Sequence, residues 1–168
     1  GGFNVALGAA ALDANTTGAS NVAVGYAALG LSSTASSNTA IGYNSLGANT
    51  TGANNTAVGA YALDANTTGA DNAAVGYGAL GVNTTGASNA AFGIYALDAN
   101  TTGSSNVALG RHSLGANTTA SNNTAVGTSA LGANITGTQN VAIGTDALSL
   151  NTTNNNTAVG FSALKVNT

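Results

Sequence analysis

The stretch Asn55-Thr56-Ala57-Val58-Gly59-Ala60-Tyr61-Ala62-Leu63-Asp64-Ala65-Asn66-Thr67-Thr68-Gly69-Ala70-Asp71 decides the fold, because it is one turn of a pattern that fills the chain. Its leading motif, Asn-x-Ala-apolar-Gly, recurs at Asn4, Asn21, Asn38, Asn55, Asn72, Asn89, Asn106, Asn123, Asn140 and Asn156. The spacing is 17 residues eight times and then 16 once. Self-similarity at a fixed period is the signature of a repeat architecture.

Positions are counted from the leading Asn. The third is always Ala: Ala6, Ala23, Ala40, Ala57, Ala74, Ala91, Ala108, Ala125, Ala142 and Ala158. The fourth is apolar, from Leu7 and Val24 to Ile143 and Val159, and the fifth is always Gly. The eighth is Ala or Ser. The ninth is always Leu: Leu12, Leu29, Leu46, Leu63, Leu80, Leu97, Leu114, Leu131, Leu148 and Leu164. The twelfth is Asn, with Ser32 the exception. A composition rich in Asn, Thr and Gly suggests disorder. Apolar residues held at fixed phases through every copy argue against it.

A 17-residue period is short for paired helices, whose repeats run about 33–47 residues. The fixed Gly and the Asn-Thr-Thr-Gly stretch would also interrupt a helix. The pattern therefore predicts an all-β, parallel β-solenoid (β-roll) of ten 17-residue coils over residues 1–168, as one domain. Each coil is expected to hold two short strands and two turns. Coils stack about 4.8 Å apart, so the Asn residues form ladders of side-chain amides. The ninth-position leucines are expected to fill the coil together with the apolar fourth position. The third-position alanines and the eighth-position Ala/Ser are expected to contact neighbouring subunits. The missing residue in the ninth coil is placed in the turn around Thr152, Thr153 and Asn154.

Only 4% of residues are charged, and Cys, Met, Pro and Trp are absent. Two cations, Arg111 and Lys165, cannot make the phosphate contacts that drive nucleic-acid binding. No apolar run approaches the roughly 20 residues that cross a bilayer as a helix. Gly1 is not an initiator Met and Thr168 falls in mid-pattern, which reads as a piece of a longer repetitive chain.

No catalytic, metal-binding or cofactor-binding residue is expected. Arg111 and His112 sit at the variable sixth and seventh positions, which read as surface. Asp64 and Asp98 share the tenth position two coils apart, about 9.6 Å, too far to share one Ca²⁺. Tyr26, Tyr43 and Tyr77 occupy the sixth position and Tyr61 and Tyr95 the seventh. Tyr26 and Tyr43 lie on adjacent coils and can stack. The five tyrosines are candidates to face a sugar or a protein partner, against edge packing as the plainer reading. Asn-x-Thr/Ser sequons recur at Asn15, Asn49, Asn66, Asn83, Asn100, Asn117, Asn134 and Asn151, and again at Asn54, Asn122 and Asn155. In a secretory setting these are glycan acceptors; otherwise they serve the turn.

Segments such as Asn21-Val22-Ala23-Val24-Gly25 and Asn140-Val141-Ala142-Ile143-Gly144, with Ala or Ser three residues after the Gly, resemble the head repeats of trimeric autotransporter adhesins. Similar repeats occur in phage and viral fibres. The resemblance implies a left-handed roll, three chains about one axis, and display at a cell surface or on a virion fibre. The adhesin repeat is about three residues shorter. The expected function is a structural or adhesive extracellular fibre segment, with self-association, a host surface protein or glycan as partner, and no enzyme activity. The alternative is an ice-binding solenoid, since grass ice-recrystallisation inhibitors carry similar Asn-x-Val-x-Gly repeats. Against it, Thr16 and Thr17 are adjacent and cannot both point outward from one flat strand. Leu31, Phe92 and Ile135 also interrupt a regular face.

Overall fold

A computed structural model describes residues 2–167. Each repeat contributes one three-residue strand at its second to fourth positions: β1 Val5–Leu7, β2 Val22–Val24, β3 Thr39–Ile41, β4 Thr56–Val58, β5 Ala73–Val75, β6 Ala90–Phe92, β7 Val107–Leu109, β8 Thr124–Val126, β9 Val141–Ile143 and β10 Thr157–Val159. The strands pair in chain order as one parallel ten-stranded sheet. Like positions pair with like, as in Ala57↔Ala74 and Val58↔Val75. The chain is thus an all-β parallel β-solenoid with a 17-residue period, and no helix occurs among the described residues.

The expected second strand is absent from every coil. In its place stands a stack of tight turns. The seventh and ninth positions take the left-handed conformation, as at Tyr61 (φ 59) and Leu63 (φ 52). A backbone that enters this region at every second residue cannot lie in a pleated strand. Coils are still joined here by backbone hydrogen bonds: the Leu29 N–H donates to the Ser45 carbonyl at 3.0 Å, and the Ala48 N–H to the Asp64 carbonyl at 2.9 Å.

The faces are the reverse of those expected. Ala23, Ala40, Ala57, Ala74, Ala91, Ala108, Ala125 and Ala142 are fully enclosed within the single chain, and Ala158 nearly so. Ala6 is exposed on the first coil. The alanine ladder is therefore the inner face of the sheet and is not a subunit contact. The eighth position is interior too, as at Ala62, Ala79 and Ser113. The fourth position points outward and does not fill the coil: Ile41, Phe92, Leu109 and Ile143 are each at least 40% exposed. The leucines from Leu29 to Leu148 are fully buried. In the terminal coils, Leu12 is half-buried and Leu164 exposed.

The reason for the reversal is amide chemistry. An interior as narrow as one coil must still satisfy its backbone polar groups. The first-position Asn does this from inside the sheet. Asn55 Oδ1 accepts from the backbone N–H of Asn72 at 3.0 Å, and Asn55 Nδ2 donates to the Gly69 carbonyl at 2.9 Å. The twelfth-position Asn66 donates to that same carbonyl at 3.0 Å and to Asn49 Oδ1, one coil back, at 2.9 Å. Both amides stitch coil to coil, and both close their own coil onto the same carbonyl. Strand alternation then puts the third position beside the first. Only a small side chain fits there, between the amides and the leucines.

Two interruptions show how closely the ladder is specified. Where Ser32 replaces the twelfth-position Asn, Ser32 Oγ and Asn15 Oδ1 are both buried without a hydrogen-bond partner. In the ninth coil Asn151 Nδ2 reaches the carbonyl of Thr153, two residues on, at 2.8 Å. In other coils the same bond spans three residues, as from Asn100 to Gly103. The missing residue therefore falls between Asn151 and Thr153, within the expected turn. Asn134 Oδ1, the acceptor that Asn151 would otherwise serve, is left buried and unpaired.

The fifth-position Gly is obligatory. At Gly76, φ is 132 and a Cβ would lie 2.6 Å from the Gly93 carbonyl oxygen. Its counterparts from Gly8 to Gly144 meet the next glycine in the same way.

Candidate functional site

Two surfaces stand out. The first is the outer face of the sheet, formed by the second and fourth positions. It carries Val, Thr, Ala, Leu, Ile and Phe, and no charged residue occurs at the second to fourth position of any coil. Nine coil spacings of about 4.8 Å and a width of three residues give roughly 430 Å². The largest apolar patch on an ordinary monomer is about 300–600 Å² and often functional.

The second surface is the edge that follows the strand. Tyr26, Tyr43, Tyr61, Tyr77 and Tyr95 form one continuous file that ends on His112. Successive ring centroids lie 5.3, 5.3, 5.8, 5.4 and 5.3 Å apart. Tyr26 and Tyr43 stack, as do Tyr95 and His112, while the three contacts between them are edge-to-face. Sequence spacing indicated only the Tyr26–Tyr43 stack. The left-handed seventh position turns Tyr61, Tyr95 and His112 onto the edge occupied by the sixth-position tyrosines. That backbone change carries no glycine signal in these residues.

Beside the file lie two half-buried carboxylates, Asp64 and Asp98, whose spacing along the repeat places them too far apart to share one Ca²⁺. Desolvation raises both carboxyls above the ordinary aspartate value, partly offset by backbone hydrogen bonds and, at Asp98, by nearby His112. Desolvation, then the Tyr43 and Tyr77 phenols and Asp64, raises the Tyr61 phenol. Desolvation followed by Tyr77 and Asp98 does the same at Tyr95. The signal in the sequence was the recurrence of Tyr-Ala-Leu-Asp in the fourth and sixth coils. Arg111 lies exposed on the surface. No group of three or more His, Cys, Asp or Glu side chains is placed to hold a metal ion among the described residues.

The sequons divide by burial. Asn49, Asn66, Asn83, Asn100, Asn117, Asn134 and Asn151 are fully buried, with Nδ2 committed to the coil, so the folded chain does not offer them to a glycosyltransferase. Asn15 is half-buried and holds the same bond. Asn54, Asn122 and Asn155 are exposed.

The two adjacent threonines also part ways. Thr50, Thr67, Thr84 and Thr101 each donate Oγ1 to the thirteenth-position carbonyl of the next coil at 3.0–3.1 Å. The fourteenth-position Thr51, Thr68, Thr85, Thr102 and Thr119 form an exposed file. No family model, curated protein or solved structure matches the chain.

Proposed function

We propose that the chain is a structural or adhesive extracellular fibre segment, at a cell surface or on a virion fibre, whose coils associate through the outer face of the sheet. The observation that carries this reading is the uncharged face along all ten strands, apolar at every fourth position and interrupted only by threonine at the second, open to solvent in the single chain. Covering it with copies of itself removes apolar area worth about 25 cal/mol per Å². A three-fold arrangement of left-handed rolls, as in adhesin heads, lets three such faces meet on one axis. The interior gives the rigidity a fibre needs, because every coil is bonded to the next around most of its circumference. A host surface protein or glycan is the partner this role implies, and no catalytic step is assigned to the chain.

The test is the mass of the chain in solution by light scattering, for the native sequence and for Val58→Asp/Val75→Asp. A trimer or larger assembly that the variant reduces to a monomer with unchanged β signal supports the proposal. A native monomer at all concentrations overturns it. The exposed fourteenth-position threonine file favours ice binding as the second reading, and recrystallisation inhibition by a monomer would establish that instead.

A further inference from the structure

In three successive coils the repeat departs from itself in a paired way. The fourth coil carries Tyr61-Ala62-Leu63-Asp64 and the sixth Tyr95-Ala96-Leu97-Asp98, while the fifth, between them, has Gly78-Ala79-Leu80-Gly81. A Tyr/Asp pair thus stands on either side of two glycines. The result is a cleft of about 200 Å³ lined by Tyr61, Tyr77 and Tyr95, by Asp64 and Asp98, and by Val82, above the glycines.

The glycines make the room. A Cβ on Gly78 would lie 2.9 Å from two carbons of the Tyr95 ring, so that ring lies across the glycine. A Cβ on Gly81 would lie 3.4 Å from Asp64 Oδ1, which places the Asp64 carboxylate over the second glycine. Tyr61, Tyr77 and Tyr95 meet at interplanar angles of 78° and 86°, so they do not close face to face as Tyr26 and Tyr43 do. Neither carboxylate has an ion-pair partner; Lys165–Asp146 is the one salt bridge among the described residues.

We propose that this cleft binds an alkylammonium group. Two half-desolvated carboxylates about two coil spacings apart, roughly 9.6 Å, are too far apart for one metal ion but flank a larger organic cation on both sides. Tyrosine rings within about 6 Å of such a cation attract it through their electron-rich faces. An anion is excluded by charge, and a neutral sugar would leave both carboxylates without a counter-charge while covering them from water.

The experiment follows the tyrosine ring resonances of the full chain by NMR during titration with choline chloride, n-butylammonium chloride and, as control, sodium chloride. The expected result is a saturable shift of Tyr61, Tyr77 and Tyr95 with an ammonium salt, little change at Tyr26, and no saturable response to sodium. Stronger binding of choline identifies a quaternary head, and of butylammonium a primary one. In Asp64→Asn/Asp98→Asn the affinity falls about tenfold or more, the usual worth of a lost charge-assisted contact. Besides Asp13, the tenth position carries Gly, Ser or Lys in the other coils, so this variant keeps the fold. Ring shifts no different from those given by sodium chloride, or affinity unchanged in the double variant, overturn the proposal.

Discussion

Replacing Ser32 by Asn is expected to stabilise the chain, although it adds a polar amide to a fully buried site. Ser32 interrupts the twelfth-position ladder and leaves two buried oxygens unpaired, its own Oγ and Asn15 Oδ1. An Asn there, in the geometry of its neighbours, donates Nδ2 to the Ala35 carbonyl and to Asn15 Oδ1. It also accepts from Asn49 Nδ2. The intact coils show the lengths of such bonds: 3.0 Å from Asn83 to Gly86, 2.8 Å from Asn83 to Asn66, and 2.8 Å from Asn100 to Asn83. Three bonds at about 0.5–1.5 kcal/mol each, less about 1 kcal/mol for fixing a longer side chain, leave a gain of about 0.5–3.5 kcal/mol. For a chain of this length that raises the melting midpoint by roughly 1–14 °C. The assay is thermal unfolding followed by circular dichroism at matched protein concentration, since association also shifts the midpoint. The mirror variant Asn83→Ser removes the same bonds and should lower the midpoint by a similar amount. An S32N midpoint at or below that of the native chain, with N83S also neutral, would refute the view that amide ladders hold the coils together.

Gly76→Ala should cost several kcal/mol, because about 1–3 kcal/mol of backbone strain is joined by a Cβ 2.6 Å from the Gly93 carbonyl; denaturant unfolding measures it. Leu80→Ala should cost about 2–5 kcal/mol for the cavity it leaves, whereas Leu164→Ala, on the exposed terminal coil, should stay within about 0.5 kcal/mol. Because desolvation raises the Asp64 and Asp98 carboxyls above 3.8, the folded state takes up these protons before the unfolded state does. Their contribution to stability therefore grows as pH falls through the raised values and levels off below 3.8; it is lost again as pH rises. In D64N/D98N, melting curves across that range should lose this component of the pH dependence.

The coil, its period and the Leu ladder were legible because each is a matter of phase. A residue type fixed at one position in every copy reports a fixed environment. Which strand face is inside was not legible from size alone. Val58 is the larger apolar side chain and Ala57 the smaller, and burial by area favours Val58. The interior instead goes to the face that carries Asn55, since its amide closes the coil, and Ala57 follows by alternation. The second strand was misjudged for a related reason. Left-handed backbone at Tyr61, Leu63, Tyr95 and Leu97 is imposed by the need to turn a 17-residue coil back on itself, and Gly78 is the only glycine at the seventh position to mark it. The Tyr/Asp cleft was hidden for the same cause, because its tyrosines come from two positions that a strand would have pointed to opposite faces.

The most direct test of the inverted faces and of their covering uses the absence of native cysteine. Maleimide labelling rates are compared for Ala74→Cys, Val75→Cys and, as an exposed reference, Thr85→Cys, in dilute and in concentrated solution. The expected result is that Ala74→Cys stays protected throughout, while Val75→Cys reacts when dilute and becomes protected as chains associate. Labelling of Ala74→Cys as fast as Thr85→Cys, with Val75→Cys protected even in the dilute monomer, would contradict the account.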